Sequence, residues 1–206
     1  GGSIRNSYFQ NFLINGETKN TNFHDICFVC KSIKEIIRDK EPSKHGMIIT
    51  LNYLARYLRN TGQSVVLQAK HERNSKEEEL YKKIFIECNY KVSWKENSRY
   101  DSYKNISHSK LVIGLPSTLL RESFFYKTKV LCCEPNAYQK GIHPFDGLNY
   151  LCNFSFKEFE ERLNSLLEMD YDQYSSKLNK PPKFYMSDTN TIKYIKNLVN
   201  KELEAN

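Results

Sequence analysis

The sequence has no apolar run close to the roughly 20 residues that a membrane-spanning helix requires, and it shows no secretory signal peptide. Only eight of its 206 residues are glycine, and none of these glycines forms a G-x-G-x-x-G or P-loop motif. These absences argue against an integral membrane protein, a dinucleotide-dependent oxidoreductase and a P-loop ATPase. They leave the cytoplasm as the expected location.

The cysteines form no complete metal or disulfide pattern. Cys27 and Cys30 have C-x-x-C spacing, but they lie in the apolar run ICFVC, and no second C-x-x-C or Cys/His pair completes a zinc site. Most of the six cysteines lie in predicted strands, which is typical of small buried side chains in a reducing compartment. We therefore expect neither a disulfide framework nor a bound metal.

The chain also lacks any block of five or more like charges, although its net charge is +7. Its basic residues are scattered and interleaved with glutamates, as in Lys76 to Lys83, and no RNA-recognition motif is present. A basic surface attracts phosphates, nucleotides, nucleic acids and anionic membranes alike. The scattered pattern favours an ordinary solvated surface over a nucleic-acid interface.

What the sequence does contain is a regular alternation of short apolar runs and amphipathic segments. Hydrophobic residues make up 39% of the chain, which is enough for a sizeable core at this length. Strands that alternate with helices predict a parallel sheet with helices on both faces. We therefore expect a single Rossmann-like α/β domain over residues 25–206, preceded by a polar N-terminal segment, residues 1–24.

The expected strands are 25–30, 64–69, 91–95, 110–114, 129–133 and 149–152. The expected helices are 33–37, 47–59, 75–88, 100–106, 117–127, 155–167 and 188–202. Capping boxes are expected at Ser75 with Glu78 and at Ser155 with Glu158. The inner face of the helix that Ser75 opens is expected to consist of Leu80, Ile84 and Cys88. Residues 170–183 are expected to be loop, with a stop at Pro181-Pro182.

The stretch from Lys110 to Pro135 carries the strongest functional signal. An apolar strand runs into Gly114, and Ser117 and Thr118 then open a helix. Hydroxyl groups beside the free N–H groups of a helix N-terminus can bind a phosphate. The alternative is that Ser117 is simply the N-cap of the helix, and the two roles are compatible.

Glu122 lies one helical turn after Thr118, on the same face of that helix. Its carboxylate could hold the hydroxyl groups of a sugar or ribose, or it could be an ordinary solvated glutamate. The neighbouring Arg121 is expected to be exposed.

A second cluster follows the strand 64–69 directly, in the order Lys70, His71, Glu72, Arg73. In parallel sheets the ligand lies beyond the carboxyl ends of the strands, so these side chains should project into the crevice. A histidine flanked by cations can bind a phosphate and stabilise it as it leaves. The alternative is a surface histidine in a basic turn.

Other polar residues carry weaker signals. His143-Pro144, in the loop after the fifth strand, is expected to be structural, and Trp94 is expected to belong to the core. Asp101 and Asp146 are candidate carboxylates, but the sequence shows no partner that would tune either one, so no catalytic base is nominated.

The order strand–KHxR, strand–GxPST–xxxE and then a KVL strand resembles the C-terminal, donor-binding domain of GT-B glycosyltransferases, in particular bacterial sialyltransferases, Kdo transferases and related surface-carbohydrate proteins. Those families carry a His-Pro motif and a later Ser-Ser/Thr motif, which both contact the CMP part of a CMP-activated sugar. His71 matches the histidine, Ser117 and Thr118 match the hydroxyl pair, and Glu122 lies where related proteins place a carboxylate near the ribose. Glu72 departs from the pattern, because a proline is expected there.

The resemblance implies one half of a GT-B fold that transfers a sugar from a CMP donor to a glycan or glycolipid, without a cofactor or a metal. His71 would be catalytic. The residues that would bind the nucleotide sugar are Lys70, Arg73, Gly114, Ser117, Thr118 and Glu122. An N-terminal acceptor domain would be the missing partner, and peripheral association with the inner face of the membrane stays open. A UDP-sugar transferase or epimerase, a polyol-phosphate transferase and a non-catalytic nucleotide-binding module remain alternatives.

Overall fold

The computed structural model describes residues 24–31, 43–94, 101–135 and 144–185. The strands in these ranges are β1 (His24–Val29), β2 (Ser64–Gln68), β3 (Asn89–Ser93), β4 (Ser109–Gly114), β5 (Lys129–Glu134) and β6 (Tyr150–Cys152). The α-helices are α1 (Ser43–Thr61), α2 (Ser75–Ile84), α3 (Asp101–Ser107), α4 (Thr118–Ser123), α5 (Phe156–Glu168), α6 (Tyr171–Ser176) and α7 (Pro182–Tyr185). Two 3₁₀ turns lie at Phe124–Tyr126 and Gly147–Asn149.

The six strands form one sheet in the order β3-β2-β1-β4-β5-β6, and every neighbouring pair is parallel. From β1, in the centre of the sheet, the chain moves outward through β2 and β3 and then crosses to the other side of β1. From there it moves outward again through β4, β5 and β6. This is the strand order of doubly wound Rossmann-type sheets, so the predicted fold class, a single Rossmann-like α/β domain, is confirmed.

The central strands are buried because helices cover both faces of the sheet. Every residue of β5 is buried, and so are the last four residues of β4 and of β1. This explains their nearly continuous apolar sequences, since parallel strands buried on both faces show no polar alternation. Trp94, directly after the edge strand β3, is 8% exposed, in agreement with its predicted place in the core.

Crossover direction decides which helices share a face. Connections between parallel strands are right-handed, and the chain moves in opposite directions from β1 and from β4. The α1 face therefore carries α1 and α2, whereas the α4 face carries α3 and α4. In agreement with this, α1 contacts α2 and α5, and α3 contacts α4. The hydroxyl of Tyr57 in α1 donates to Asn164 Oδ1 in α5 at 2.8 Å.

The start of α2 differs from the prediction. Its N-cap is Asn74, whose side-chain oxygen accepts hydrogen bonds from the N–H groups of Lys76 and Glu77 at 3.1 and 3.3 Å. Ser75 is already the first helical residue. The other predicted capping box, Ser155 with Glu158, is present at the start of α5.

The inner face of α2 is also rotated from the predicted one. Tyr81 and Phe85 are fully buried, and the Tyr81 hydroxyl donates to the buried carboxylate of Glu77 at 2.6 Å. This bond permits two polar side chains to face the core. The predicted inner-face residues are only half-buried; they are Leu80, Ile84 and Cys88.

The prediction that residues 170–183 are a loop was wrong for residues 171–176 and 182–183, which are helical, and is confirmed for residues 177–181. Asp170 caps α6 by accepting a hydrogen bond from the N–H of Gln173 at 2.8 Å, and Gln173 Oε1 accepts from the N–H of Asp170 at 3.1 Å. Pro182 begins α7 and does not end a helix. Proline suits the first helical position, where its missing N–H leaves no bond unmade.

Some predictions fall outside the described residues, namely the N-terminal segment apart from His24, the helix 33–37 and the helix 188–202. Among the helices that the structure does describe, none is long and apolar enough to cross a membrane.

A buried cation holds α5 against β5. The ammonium group of Lys129 donates to the carbonyl oxygens of Leu166 at 2.5 Å and Leu167 at 3.4 Å, and also to that of Met169. These carbonyls lie at the C-terminal end of α5, where a positive charge is favourable. Burial, followed by the nearby charge of Lys110, lowers the pKa of Lys129.

We predict that Lys129→Met destabilises the fold by about 2 kcal/mol, because it removes charge-assisted hydrogen bonds and leaves helix carbonyls unpaired. Urea denaturation measures the change. Lys157→Met is the control, since Lys157 lies on the exposed side of α5 with only a 3.9 Å contact to Glu161 and should change stability by less than about 0.5 kcal/mol. Equal stability losses in both variants would contradict the capping role.

Candidate functional site

The strand order reverses between β1 and β4, and doubly wound sheets have their binding crevice at the carboxyl edge beside such a switch point. The first turn of α1 lies against the residues that follow β4 and β5, since a Cβ atom built on Gly46 would lie 3.7 Å from Leu115 Cδ2 and 3.5 Å from Pro135 Cδ. On the described side of this crevice, Cys30 and Lys31 follow β1, and Leu115 to Ser117 follow β4. Residues 32–42, 95–100 and 136–143, which follow β1, β3 and β5, lie outside the described residues.

Gly114 is required by the close approach of β1 and β4 at this crevice. It is the register partner of Val29. A Cβ atom built on Gly114 would lie 2.8 Å from the Val29 carbonyl oxygen and 3.2 Å from Val29 Cβ. The space beside the last residue of β4 therefore admits no side chain, and the backbone itself forms the wall.

Ser117 and Thr118 follow β4 and open α4, which is the local structure that the sequence predicts. Ser117 is the N-cap of α4, and its side-chain oxygen accepts a hydrogen bond from the N–H of Leu120 at 3.3 Å. Thr118 is the first residue of α4 and is exposed. Leu120 is fully buried, which anchors this first turn.

Glu122 is buried between α3 and α4, with 5% of its surface exposed. The hydroxyl of Tyr103 in α3 donates to Glu122 Oε2 at 2.9 Å. Its carboxylate also contributes to the raised pKa of Tyr126, after burial and the neighbouring Tyr103. Glu122 is therefore a fixed, partnered carboxylate and not an ordinary solvated side chain.

Arg121 differs from its predicted exposure. It is half-buried, and its Nε and Nη2 atoms each lie 3.4 Å from the backbone oxygen of Tyr185 in α7. The guanidinium group therefore links α4 to a segment more than sixty residues later in the chain.

The cluster Lys70 to Arg73 follows β2 and is exposed throughout. Arg73 makes a bidentate contact with Glu78 at the start of α2, at 2.8 and 2.7 Å. Hydrogen bonds from Arg73 and then from Lys82 lower the pKa of Glu78 to about 2. The guanidinium group of Arg73 is thus already engaged by a carboxylate.

Lys70 and His71 follow β2 whereas Ser117 follows β4, and these two strands are not neighbours in the sheet. The strand β1 lies between β2 and β4, so the two strand ends are separated by two strand spacings, about 9–10 Å. One phosphate group cannot touch both backbones. Contact from both sides requires the length of the Lys70 or His71 side chain.

Two groups at the crevice were missed in the sequence. Lys31 is the second residue after β1. Burial raises the pKa of the Cys132 thiol in β5, and the positive charge of Lys31 opposes this rise. Glu134, the last residue of β5, is 5% exposed, and the Tyr150 hydroxyl donates to its Oε2 at 2.5 Å. Their positions immediately after predicted strands could have identified both.

The thiols of this region are unsuited to nucleophilic chemistry. Burial raises the pKa of Cys30 to about 12, and it also raises the pKa of Cys27 and Cys133. All six cysteines are free. Within the described ranges, no three His, Cys, Asp or Glu side chains are grouped to hold a metal ion.

The remaining candidate carboxylates have structural surroundings. Asp146 caps the 3₁₀ turn before β6. Its Oδ2 atom lies 3.5 Å from Lys180 Nζ, and its Oδ1 atom accepts a hydrogen bond from the Tyr185 hydroxyl at 3.3 Å. Asp101 begins α3. His143 lies outside the described residues.

We predict that Gly114→Ala destabilises the protein by about 2 kcal/mol, because the added Cβ overlaps the backbone of β1. Thermal or urea unfolding measures the loss. Gly46→Ala is the matched control: its Cβ would lie at an ordinary 3.5 Å from Pro135 Cδ, and alanine in a helix is favoured by about 0.5–1 kcal/mol over glycine. A stable Gly114→Ala variant would contradict the close approach of β1 and β4.

No protein-family model matches the chain, and no curated protein sequence matches it.

Proposed function

We propose that the chain is the donor-binding half of a GT-B glycosyltransferase, which binds a nucleotide-activated sugar, a CMP-sugar, at the carboxyl edge of the sheet. The observation that carries the proposal is the position of Gly114, Ser117 and Thr118. They lie at the switch point between β1 and β4, where doubly wound sheets bind nucleotides.

The strand β4 and the helix α4 supply the nucleotide-binding wall in this proposal. Gly114 holds the end of β4 close against β1, and Ser117, Thr118 and the N–H groups of the first turn of α4 receive the phosphate. Glu122 is assigned to the ribose hydroxyls. Its hydrogen bond from Tyr103 fixes the carboxylate in one orientation, which reduces the entropy lost on binding.

The strand β2 supplies the opposing cation. His71, helped by Lys70, neutralises the phosphate as it leaves the sugar, and Arg73 shapes the loop through its contact with Glu78. The residues that follow β2 and those that follow β4 are separated by β1, so a ligand about two strand spacings wide fits between them. Cationic side chains and helix N–H groups stabilise the departing charge in this scheme, so it requires no metal.

The sugar, the acceptor and the partner domain come from the resemblance of the KHxR and GxPST–xxxE motifs to GT-B enzymes. The proposal places an acceptor glycan or glycolipid on a second, N-terminal Rossmann domain. It also places the enzyme in the cytoplasm or at the inner face of the membrane. Competing functions on the same crevice are a UDP-sugar enzyme, a polyol-phosphate transferase and a non-catalytic nucleotide-binding module.

Calorimetric titration with CMP, UDP and GDP tests the proposal. We expect CMP to bind more tightly than UDP or GDP, and His71→Ala and Ser117→Ala each to weaken CMP binding by about tenfold, as expected for the loss of one charge-assisted hydrogen bond. Preference for UDP would assign the donor to another class, and no binding of any nucleotide would reject the proposed function.

Ser155→Ala is a matched control for Ser117→Ala. Both serines are N-caps that accept a hydrogen bond from the N–H three residues later at 3.3 Å, and each substitution should cost about 1 kcal/mol of stability. Only Ser117 lies at the crevice. Equal CMP affinities in the two variants would show that Ser117 acts only as a helix cap.

A further inference from the structure

Residues 170–185, called here the return segment, pass around the edge of β5. β6 pairs only with the last three residues of β5, Cys132 to Glu134. Beside the earlier part of β5, the Tyr174 hydroxyl donates to the Val130 carbonyl at 2.8 Å and accepts from the Val130 N–H at 3.2 Å. The Tyr174 hydroxyl thus binds the backbone groups of Val130 that a neighbouring strand would otherwise bind. The return segment, which contains Tyr174, runs from α5 toward α4.

Tyr185, at the end of the return segment, contacts two separate parts of the chain. Its ring is stacked on Phe124, directly after α4, with centroids 4.3 Å apart and planes 10° apart. On the other part, Phe145 has its ring centroid 6.0 Å away at 19°. Tyr185 is fully buried, so a single ring joins the end of α4 to residues 144–149.

Polar contacts also connect the return segment to α4 and to residues 144–149. Arg121 of α4 donates to the backbone oxygen of Tyr185. The Tyr185 hydroxyl donates to Asp146 Oδ1 at 3.3 Å, and Lys180 Nζ lies 3.5 Å from Asp146 Oδ2. The return segment therefore contacts α4 on one side and residues 144–149 on the other through both apolar and charged groups.

The position of α4 depends on such tertiary contacts, because a helix of six residues is not stable alone. Tyr103 holds it from α3 through Glu122, and Tyr185 holds it from the return segment. Residues 144–149 in turn lead the chain from the loop after β5 into β6. We propose that Tyr185 is a positioning residue, which makes α4 and residues 144–149 move as one unit. Resting on the proposed function, Tyr185 thereby sets the position of the nucleotide-binding wall.

Hydrogen exchange tests this coupling in the full chain, with Tyr185→Leu compared against Tyr57→Leu. Tyr57 is also a fully buried tyrosine with one side-chain hydrogen bond, to Asn164, but it joins α1 to α5. We expect amide exchange in both α4 and residues 144–149 to become about tenfold faster in Tyr185→Leu and to change in neither segment in Tyr57→Leu. Faster exchange in only one of the two segments, or equal acceleration by both variants, would overturn the proposal.

Tyr185→Phe and Tyr57→Phe form a milder pair should a leucine variant not fold, since each removes a single hydroxyl. The same comparison then decides the coupling. CMP titration supplies the second readout: affinity should fall about fivefold in the Tyr185 variants and stay unchanged in the Tyr57 variants. If the unmodified chain binds no nucleotide, the proposed function fails while hydrogen exchange still decides the coupling. If CMP binds equally to all variants, Tyr185 has no positioning role.

Discussion

The pairing of β1 with β2 on one side and with β4 on the other is the constraint on which the rest of the structure depends. Ile26, for example, is in register with Val65 and with Leu111. Because β1 has neighbours on both sides, the later strands extend the sheet in two directions. Right-handed crossovers then place the helices of the two halves on opposite faces, and doubly wound sheets have their binding crevice beside such a switch point. The missing side chain of Gly114 allows β4 to reach this position.

The second half of the sheet is completed by side chains that bind backbone groups. β6 is only three residues long, so it pairs with only half of β5. Tyr174 occupies the remaining edge of β5, and Lys129 caps the carbonyls of α5. Both tie the chain after β6 to the centre of the domain. Without such contacts a buried strand edge would leave polar groups unpaired, at a cost of about 1–3 kcal/mol each.

Local sequence patterns predicted the helices and strands well where the tertiary contacts favour the same structure. The stretch from Lys110 to Pro135 forms the expected strand, N-cap, helix and strand, since apolar runs and a capping serine act over a few residues. The face of α2 was not predictable in this way, because the polar ends of Tyr81 and Glu77 are buried together and bonded to each other. The helix α6 was missed although Asp170 and Gln173 form a capping box, a signal that the sequence does contain.

The sequence alone determined the fold class, the order of the strands and which polar residues follow each strand, because these follow from local spacing and composition. Only the tertiary structure decided which strand ends are neighbours. It separated His71 from Ser117 by one intervening strand, buried Glu122 against Tyr103 and joined Arg121 to Tyr185. The physical reason is that strand order and helix packing are set by contacts between residues far apart in the chain, which no local preference specifies.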